Sequence, residues 1–338
     1  MAVSRRRILT GTGALSLASA LPRSAQAQDF YRGKTLTLIS GFAPGGGIDT
    51  VARLIGRHLV RFLPGQPNLL VQNMEGAGGV VSANHLAQRV APDGLTVAVP
   101  GRSWFVEGVV KSPGVAFDPT KLSWIGSPGA SNSMVFMRGS LGIKSVDDWK
   151  AFPRPVTFGA LGSTTTTAQI PGMLAAAGFP IKVVTGYGAT ARILLALEQG
   201  EVDAVFTVEV SFARRQDLIA NKLVIPIMRS IPGEPALPLV RDALPASDNP
   251  VLTLVLALDR FGPPLVGPPG MPADRLDVLR TAFLAMARDT DYQAEASKIE
   301  QPVGSPISGE QLVGLIVELA RAATPDVVAA YKRLGTAR

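Results

Sequence analysis

Thr35-Leu36-Thr37-Leu38-Ile39-Ser40-Gly41-Phe42-Ala43-Pro44-Gly45-Gly46-Gly47-Ile48-Asp49 reads as a short buried strand followed by a turn with three consecutive glycines. An amphipathic helix comes next, because Val51, Leu54, Ile55, Leu59 and Phe62 recur at helical spacing. Gly45 to Gly47 can turn their N–H groups outward with no Cβ in the way, and the helix start adds unpaired N–H groups of its own. Such a turn suits an anion. The helix end is worth about 0.3 to 1 kcal/mol to a nearby carboxylate, and each charge-assisted hydrogen bond adds about 1.5 to 3 kcal/mol. The same turn would also serve as a plain strand-to-helix connection, and this stretch alone leaves both readings open. Two sharper labels fail. A phosphate-binding loop needs Gly-Lys-Ser/Thr at its end, and a dinucleotide fingerprint needs a glycine where Thr50 stands.

The first residues form an address label. Arg5, Arg6 and Arg7 precede a mildly apolar run from Gly11 to Leu21 and then Ala25-Gln26-Ala27. This is the pattern of an export signal cut after Ala27, too short in its apolar part to span a bilayer. The arginine pair resembles a twin-arginine signal, and the general secretory route is the alternative. The expected location is the bacterial periplasm. The chain has no cysteine, which excludes a lipid-anchored lipoprotein and any disulfide. The 33 basic and 26 acidic residues give a net charge of +7, but removing Arg5, Arg6, Arg7 and Arg23 with the signal leaves 29 against 26. No basic face with interleaved aromatics points to nucleic acid. A mature chain of about 310 residues suggests two domains.

Further along, strands are expected at Leu69–Asn73, Leu95–Val99, Ser133–Met137, Val156–Ala160, Ile181–Thr185, Asp203–Thr207 and Leu223–Met228, with helices between them. That alternation indicates an α/β fold with parallel-dominated mixed sheets flanked by helices. Val251 to Leu258 reads as a strand returning to the first sheet, before C-terminal helices. The economical arrangement is a first lobe of residues 28–128 plus 251–338 and a second lobe of residues 129–250. Strand-end turns from both lobes would then share a cleft, closing about a hinge near Gly129 and Pro250.

Phe42 to Arg53, then Asn73 to Gly79 with its Gly-Ala-Gly-Gly, then Pro92-Asp93-Gly94, resemble the solute-binding proteins of the tripartite tricarboxylate transporters, the Bug-type receptors. The resemblance implies a two-lobed, type II-like periplasmic binding fold that captures a small carboxylate for a membrane permease. It implies no cofactor, no metal and a monomer. It also assigns ligand contacts: the first turn, Phe42, Ala43, Pro44, Gly45, Gly46 and Gly47, and a second turn, Gly162, Ser163, Thr164 and Thr165. In the second, Thr164 replaces a family glycine. A third turn holds Tyr187, Gly188 and Ala189, with the family's glycine displaced by one. Ala236 to Arg241 departs from the family's Leu-Pro-Asp-Val-Pro-Thr, so no ligand class carries over.

Other residues have weaker claims. Asp49 reads as a first-turn carboxylate favoured by the helix dipole or bound to the neighbouring segment, with a ligand contact as the alternative. Arg102, Trp104 and Arg192 are candidates to read the distal part of a ligand. Asn73, Gly76, Gly78 and Gly79 read as support for the first turn. Catalysis has little material to work with: His58 and His85 have no metal-ligand spacing, and no Gly-x-Ser-x-Gly elbow occurs. Three functions remain: a transport receptor, a receptor presenting its ligand to a membrane sensor, and, least supported, an enzyme acting on small acids.

Overall fold

The computed structural model describes residues 30–45, 47–101, 104–162, 165–187, 190–299 and 305–334. The expected signal, residues 1–27, lies outside them. The chain begins with strand β1 (Thr35–Ser40), helix α1 (Gly47–Phe62), β2 (Asn68–Asn73), α2 (Val80–Arg89), β3 (Thr96–Val99), α3 (Trp104–Val109) and β4 (Ser123–Ser127). There follow β5 (Ser133–Arg138), α4 (Val146–Lys150), β6 (Val156–Gly159), α5 (Thr166–Ala176), β7 (Ile181–Val184), α6 (Thr190–Gln199), β8 (Ala204–Val208), α7 (Gln216–Ala220) and β9 (Val224–Arg229). Two helices, α8 (Asn249–Val255) and α9 (Ala257–Phe261), lead to β10 (Leu265–Gly267), α10 (Ala273–Arg288), α11 (Thr290–Lys298), β11 (Ile307–Ser308), α12 (Gly309–Ala322) and α13 (Pro325–Leu334).

The strands form two sheets, ordered β11-β4-β10-β3-β1-β2 and β7-β6-β8-β5-β9. In the first, β1 runs parallel to both β2 and β3, while β10 and β11 pair antiparallel. In the second, β6 is parallel to β7 and β8, and β5 runs against β8 and β9. The α/β fold with mixed sheets expected from the alternation is therefore the one observed. Eight of the nine expected strands are present. The exception is Val251–Leu258, which is helical rather than a returning strand. Its residues divide between two cores: Leu252, Val255 and Leu256 pack with the second sheet, and Leu254 and Ala257 with the first. That two-sided burial needs helical spacing, since alternate strand residues would face only two opposite directions. The chain re-enters the first sheet at Leu265 instead.

The strand ends that carry the turns are brought together by close backbone contact. An ideal Cβ on either Gly41 or Gly79 would lie 2.0 Å from the Pro100 carbonyl oxygen, so neither position has room for a side chain. Gly79 also has φ +101°, a conformation that side chains disfavour. The turns after β1, β2 and β3 consequently meet at one point.

Helix α1 buries Val51, Leu54, Ile55, His58 and Leu59 on one face, as its spacing predicts. His58 is 3% exposed and packs edge-to-face on Tyr292. The same helix anchors the first turn through Asp49, whose side chain is buried. Its carboxylate accepts hydrogen bonds from the Gly45 N–H at 2.8 Å, from Arg53 Nε at 2.8 Å and from Asn73 Nδ2 at 2.6 Å. Asn73 Nδ2 also donates to the Phe42 carbonyl. Burial alone would raise the Asp49 pKa, but the hydrogen bonds from Arg53, Gly45 and Asn73, with the Arg53 charge, hold it at about 2.

Two outcomes are expected. Because Asp49 binds its proton more weakly folded than at its ordinary 3.8, its contribution is present above that pH and fades as pH falls toward 2. Asp49→Asn should lower stability by about 1–3 kcal/mol at pH 7, with the gap to wild type closing below about pH 4 in urea titrations. In the first core, Trp104→Ala should cost about 3–5 kcal/mol, whereas Trp104→Phe, which keeps an aromatic ring in the stack, should cost well under half of that.

Candidate binding site between the two sheets

A cavity of about 450 Å³ lies between the elements of the two sheets. On one side it is bounded by Ala77 and Gly78 of the turn before α2 and by Glu107 of α3; on the other, by Thr165, Thr166 and Gln169 of α5. Leu254, Val255 and Leu258 of the bridging helices and Tyr331 of α13 complete the wall.

Each side reaches the cavity for a local reason. Gly78 adopts φ +64° within the 3-10 turn Ala77–Gly79, which swings that turn out beyond the end of β2. Across the gap, β6 ends at Gly159 and the chain turns into α5. Thr165 Oγ1 donates to the Gly162 carbonyl at 2.6 Å, and Thr167 Oγ1 accepts from the Leu161 N–H at 3.0 Å. The two threonine hydroxyls are 2.6 Å apart, so the turn is tied to the first residues of its own helix. Thr165 occupies the N-cap position, yet its side chain makes no capping bond. The amino end of α5 therefore keeps its partial positive charge uncompensated by a side chain, and it carries no acidic residue in its first turn.

The expected site residues fall into four groups. Gly162 and Thr165 form the turn beside the cavity, with Thr165 in its lining. Phe42 lies one step away: a Cβ on Gly101 would lie 2.5 Å from its ring and 3.4 Å from the Gly78 carbonyl oxygen. Ala43, Pro44, Gly45 and Gly47 are exposed on the rim of the first turn, and Gly45 has its N–H already engaged by Asp49. That bond removes one donor from the nest expected at the three glycines. Asp49 itself serves the neighbouring segment, as the first of its two readings has it. Gly46, Arg102, Ser163, Thr164, Gly188 and Ala189 lie outside the described residues.

Tyr187 is half-buried at the end of β7, with its N–H donating to the Ala160 carbonyl at 3.3 Å. Its side chain packs against the cluster formed by Ile193 and Leu197. Arg192 is exposed on the first turn of α6. Trp104 departs from expectation: it is fully buried, stacked on Trp124 with centroids 5.6 Å apart and edge-on to Phe105. It opens α3, which turns its indole inward, so it is a core residue and not a reader of the cleft.

Sequence reasoning missed Gly78, Gln169, Glu107 and Tyr331 as lining residues. Gly78 carried a signal, the Gly-Ala-Gly-Gly run, which reads as support; the other three lie on ordinary helices and only the packing of distant segments brings them to one cavity. Glu107 accepts a hydrogen bond from Ser112 Oγ at 2.5 Å. The Tyr331 hydroxyl has its pKa pushed up to about 12, first by burial and then by the negative charge of Glu107. Among the described residues there is no group of His, Cys, Asp or Glu able to hold a metal, and no helix is long and apolar enough to cross a membrane.

The fold matches solved structures along most of its length. A TctC solute-binding protein from Polaromonas superposes with a TM-score of 0.66 at 18% identity, covering 90% of this chain and 98% of that one. MatC from Rhodopseudomonas palustris, solved with bound malate, gives a TM-score of 0.58 at 22% identity, covering 87% and 99%. At these identities the likeness is one of fold. In sequence, BugT of Bordetella pertussis is 40% identical over 75 residues, 22% of each chain. Matches to the curated relatives span between 22% and 27% of their length. The family model described as the tripartite tricarboxylate transporter family receptor matches residues 51–220, half of the chain, and so covers the turn at Gly78, the start of α5 and both sides of the cavity. The chain belongs to the tripartite tricarboxylate transporter receptor family, the Bug-type solute receptors.

Proposed function

We propose that this protein is a periplasmic solute-binding receptor that captures a small carboxylate in the cavity between its two sheets and delivers it to the membrane permease of a tripartite transporter. The observation that carries this reading is the shared lining, with Gly78 from one side and Thr165 and Thr166 from the other. The ligand carboxylate belongs at the amino end of α5, where a helix dipole and a hydroxyl from Thr166 favour a negative charge without a buried arginine. A volume of about 450 Å³ lies within the usual range of small-molecule pockets, about 300–1,000 Å³. The malate bound in MatC supports a carboxylate as the ligand class. The basic, apolar and small-residue run that ends at Ala27 supports export, with removal of that segment.

In this reading the first lobe comprises residues 28–128 and the C-terminal segment, and the second the residues between. Pro250, where the hinge was expected, lies inside α8, and closure turns instead on the connecting segments at Gly129 and Gly262, which are in contact: a Cβ on Gly262 would lie 2.2 Å from the Gly129 carbonyl oxygen. The Ser131 N–H donates to the Asp259 carbonyl at 2.7 Å and Ser133 Oγ to the Asp259 carboxylate at 2.9 Å, so both crossings bend from one fixed point.

The test is thermal unfolding of the purified mature protein against a panel of mono- and dicarboxylates. At least one acid should stabilise it, by about 2.7 kcal/mol at a hundredfold excess over Kd. Thr166→Phe, which puts a ring into the cavity mouth, should abolish that response while leaving the unliganded melting temperature nearly unchanged. A panel with no active acid overturns the receptor reading.

A further inference from the structure

The wall of the cavity away from α5 has the wrong charge for a second carboxylate. Glu107 lines it, and among the described residues no cation lies within ion-pairing distance of that side chain. Its recorded partner is the neutral Ser112 hydroxyl, and the Tyr331 hydroxyl lies within reach of its field. Opposite it, on α5, stands Gln169, only 7% exposed. Between them the surface is apolar, from Val80, Val106, Val115, Leu254 and Leu258.

From the position of Glu107 across an apolar cavity from the amino end of α5, we infer that the substrate is a monocarboxylate with an apolar body and a neutral or cationic hydrogen-bond donor at its far end, and that di- and tricarboxylates are rejected. This rests on the receptor reading above and adds a selectivity to it. The chemistry is complementary at each point. A hydroxyl, amide or ammonium donates to Glu107, whose hydrogen-bond partner among the described residues is the Ser112 hydroxyl, while Gln169, one turn along α5 from Thr166, stands on the side of the first carboxylate. A carboxylate there would face the half-buried Glu107 as a like charge, which lowers affinity. The apolar wall takes the chain between the two ends.

A matched pair tests this: 6-hydroxyhexanoate and adipate, which differ in having a hydroxymethyl group or a second carboxylate at the end remote from the first. Calorimetric titration of the full mature protein should give 6-hydroxyhexanoate an affinity roughly tenfold or more above that of adipate. Glu107→Gln should raise adipate affinity by a similar factor while changing that of 6-hydroxyhexanoate far less. Gln169→Leu, on the α5 side where both acids place their first carboxylate, should change the two affinities alike and leave the preference between them unmoved. Adipate binding as tightly as its partner in the wild type overturns the inference without any variant, as does a preference that Glu107→Gln leaves unmoved. In either of those cases carboxylates still bind and the receptor reading stands; if no acid of any kind binds, both fall together.

Discussion

Everything at the binding face depends on a steric constraint at the Pro100 carbonyl. Gly41 and Gly79, from two different turns, press against that one oxygen at a distance that excludes a Cβ. The ends of β1, β2 and β3 are thereby locked at a single point. Register makes this possible: Ser40 pairs with both Asn73 and Val99, so the three turns leave the sheet at the same level. Asp49 then fastens the first turn to the second through Asn73. A binding surface made from loops is in this way given the rigidity of the sheet beneath it.

That clamp alters how the glycine run works. Three glycines before a helix suggest a nest of free N–H groups, but the Gly45 N–H already has a carboxylate, supplied by the protein itself. An internal anion at the start of α1 lessens the attraction of that helix end for a second one. The start of α5 has neither an acidic residue in its first turn nor a side-chain cap, and it opens onto the cavity. The electrostatic preference for a carboxylate thus shifts from the first sheet to the second, while the first sheet contributes shape through Gly78.

The fold was legible in the sequence because its strands and helices alternate at short spacing, and periodicity reports the face that each element buries. What periodicity could not report was Val251–Leu258: an apolar run buried on two sides has no polar face, so strand and helix look alike. The short strand Ser123–Ser127 was also missed, being buried at every position. At the site, the turn at Gly162 and Thr165 was expected from the family resemblance, since glycine and threonine before a helix read locally as a plain N-cap, and Thr165 lines the cavity. Trp104 misled because the segment after β3 was expected to open onto the cleft, whereas α3 starts at Trp104 and carries its indole into the core. Glu107, Gln169 and Tyr331 come from segments far apart in sequence, and their meeting is a property of packing alone.

The last helix, α13, is easily taken for an appendage, since no residue in it is fully buried. Yet Tyr331 packs against both cores and lines the cavity, and Leu334 reaches the core of the second sheet. A strut fixed to both halves must slide or tilt when they move relative to one another. The sequence contains no cysteine, so one introduced at the exposed Lys332 would be the sole attachment point for a fluorophore, on the element whose surroundings change most directly with closure. The architecture thereby offers a ready-made optical gauge of occupancy, on the outer face of a helix whose neighbouring Tyr331 lines the cavity.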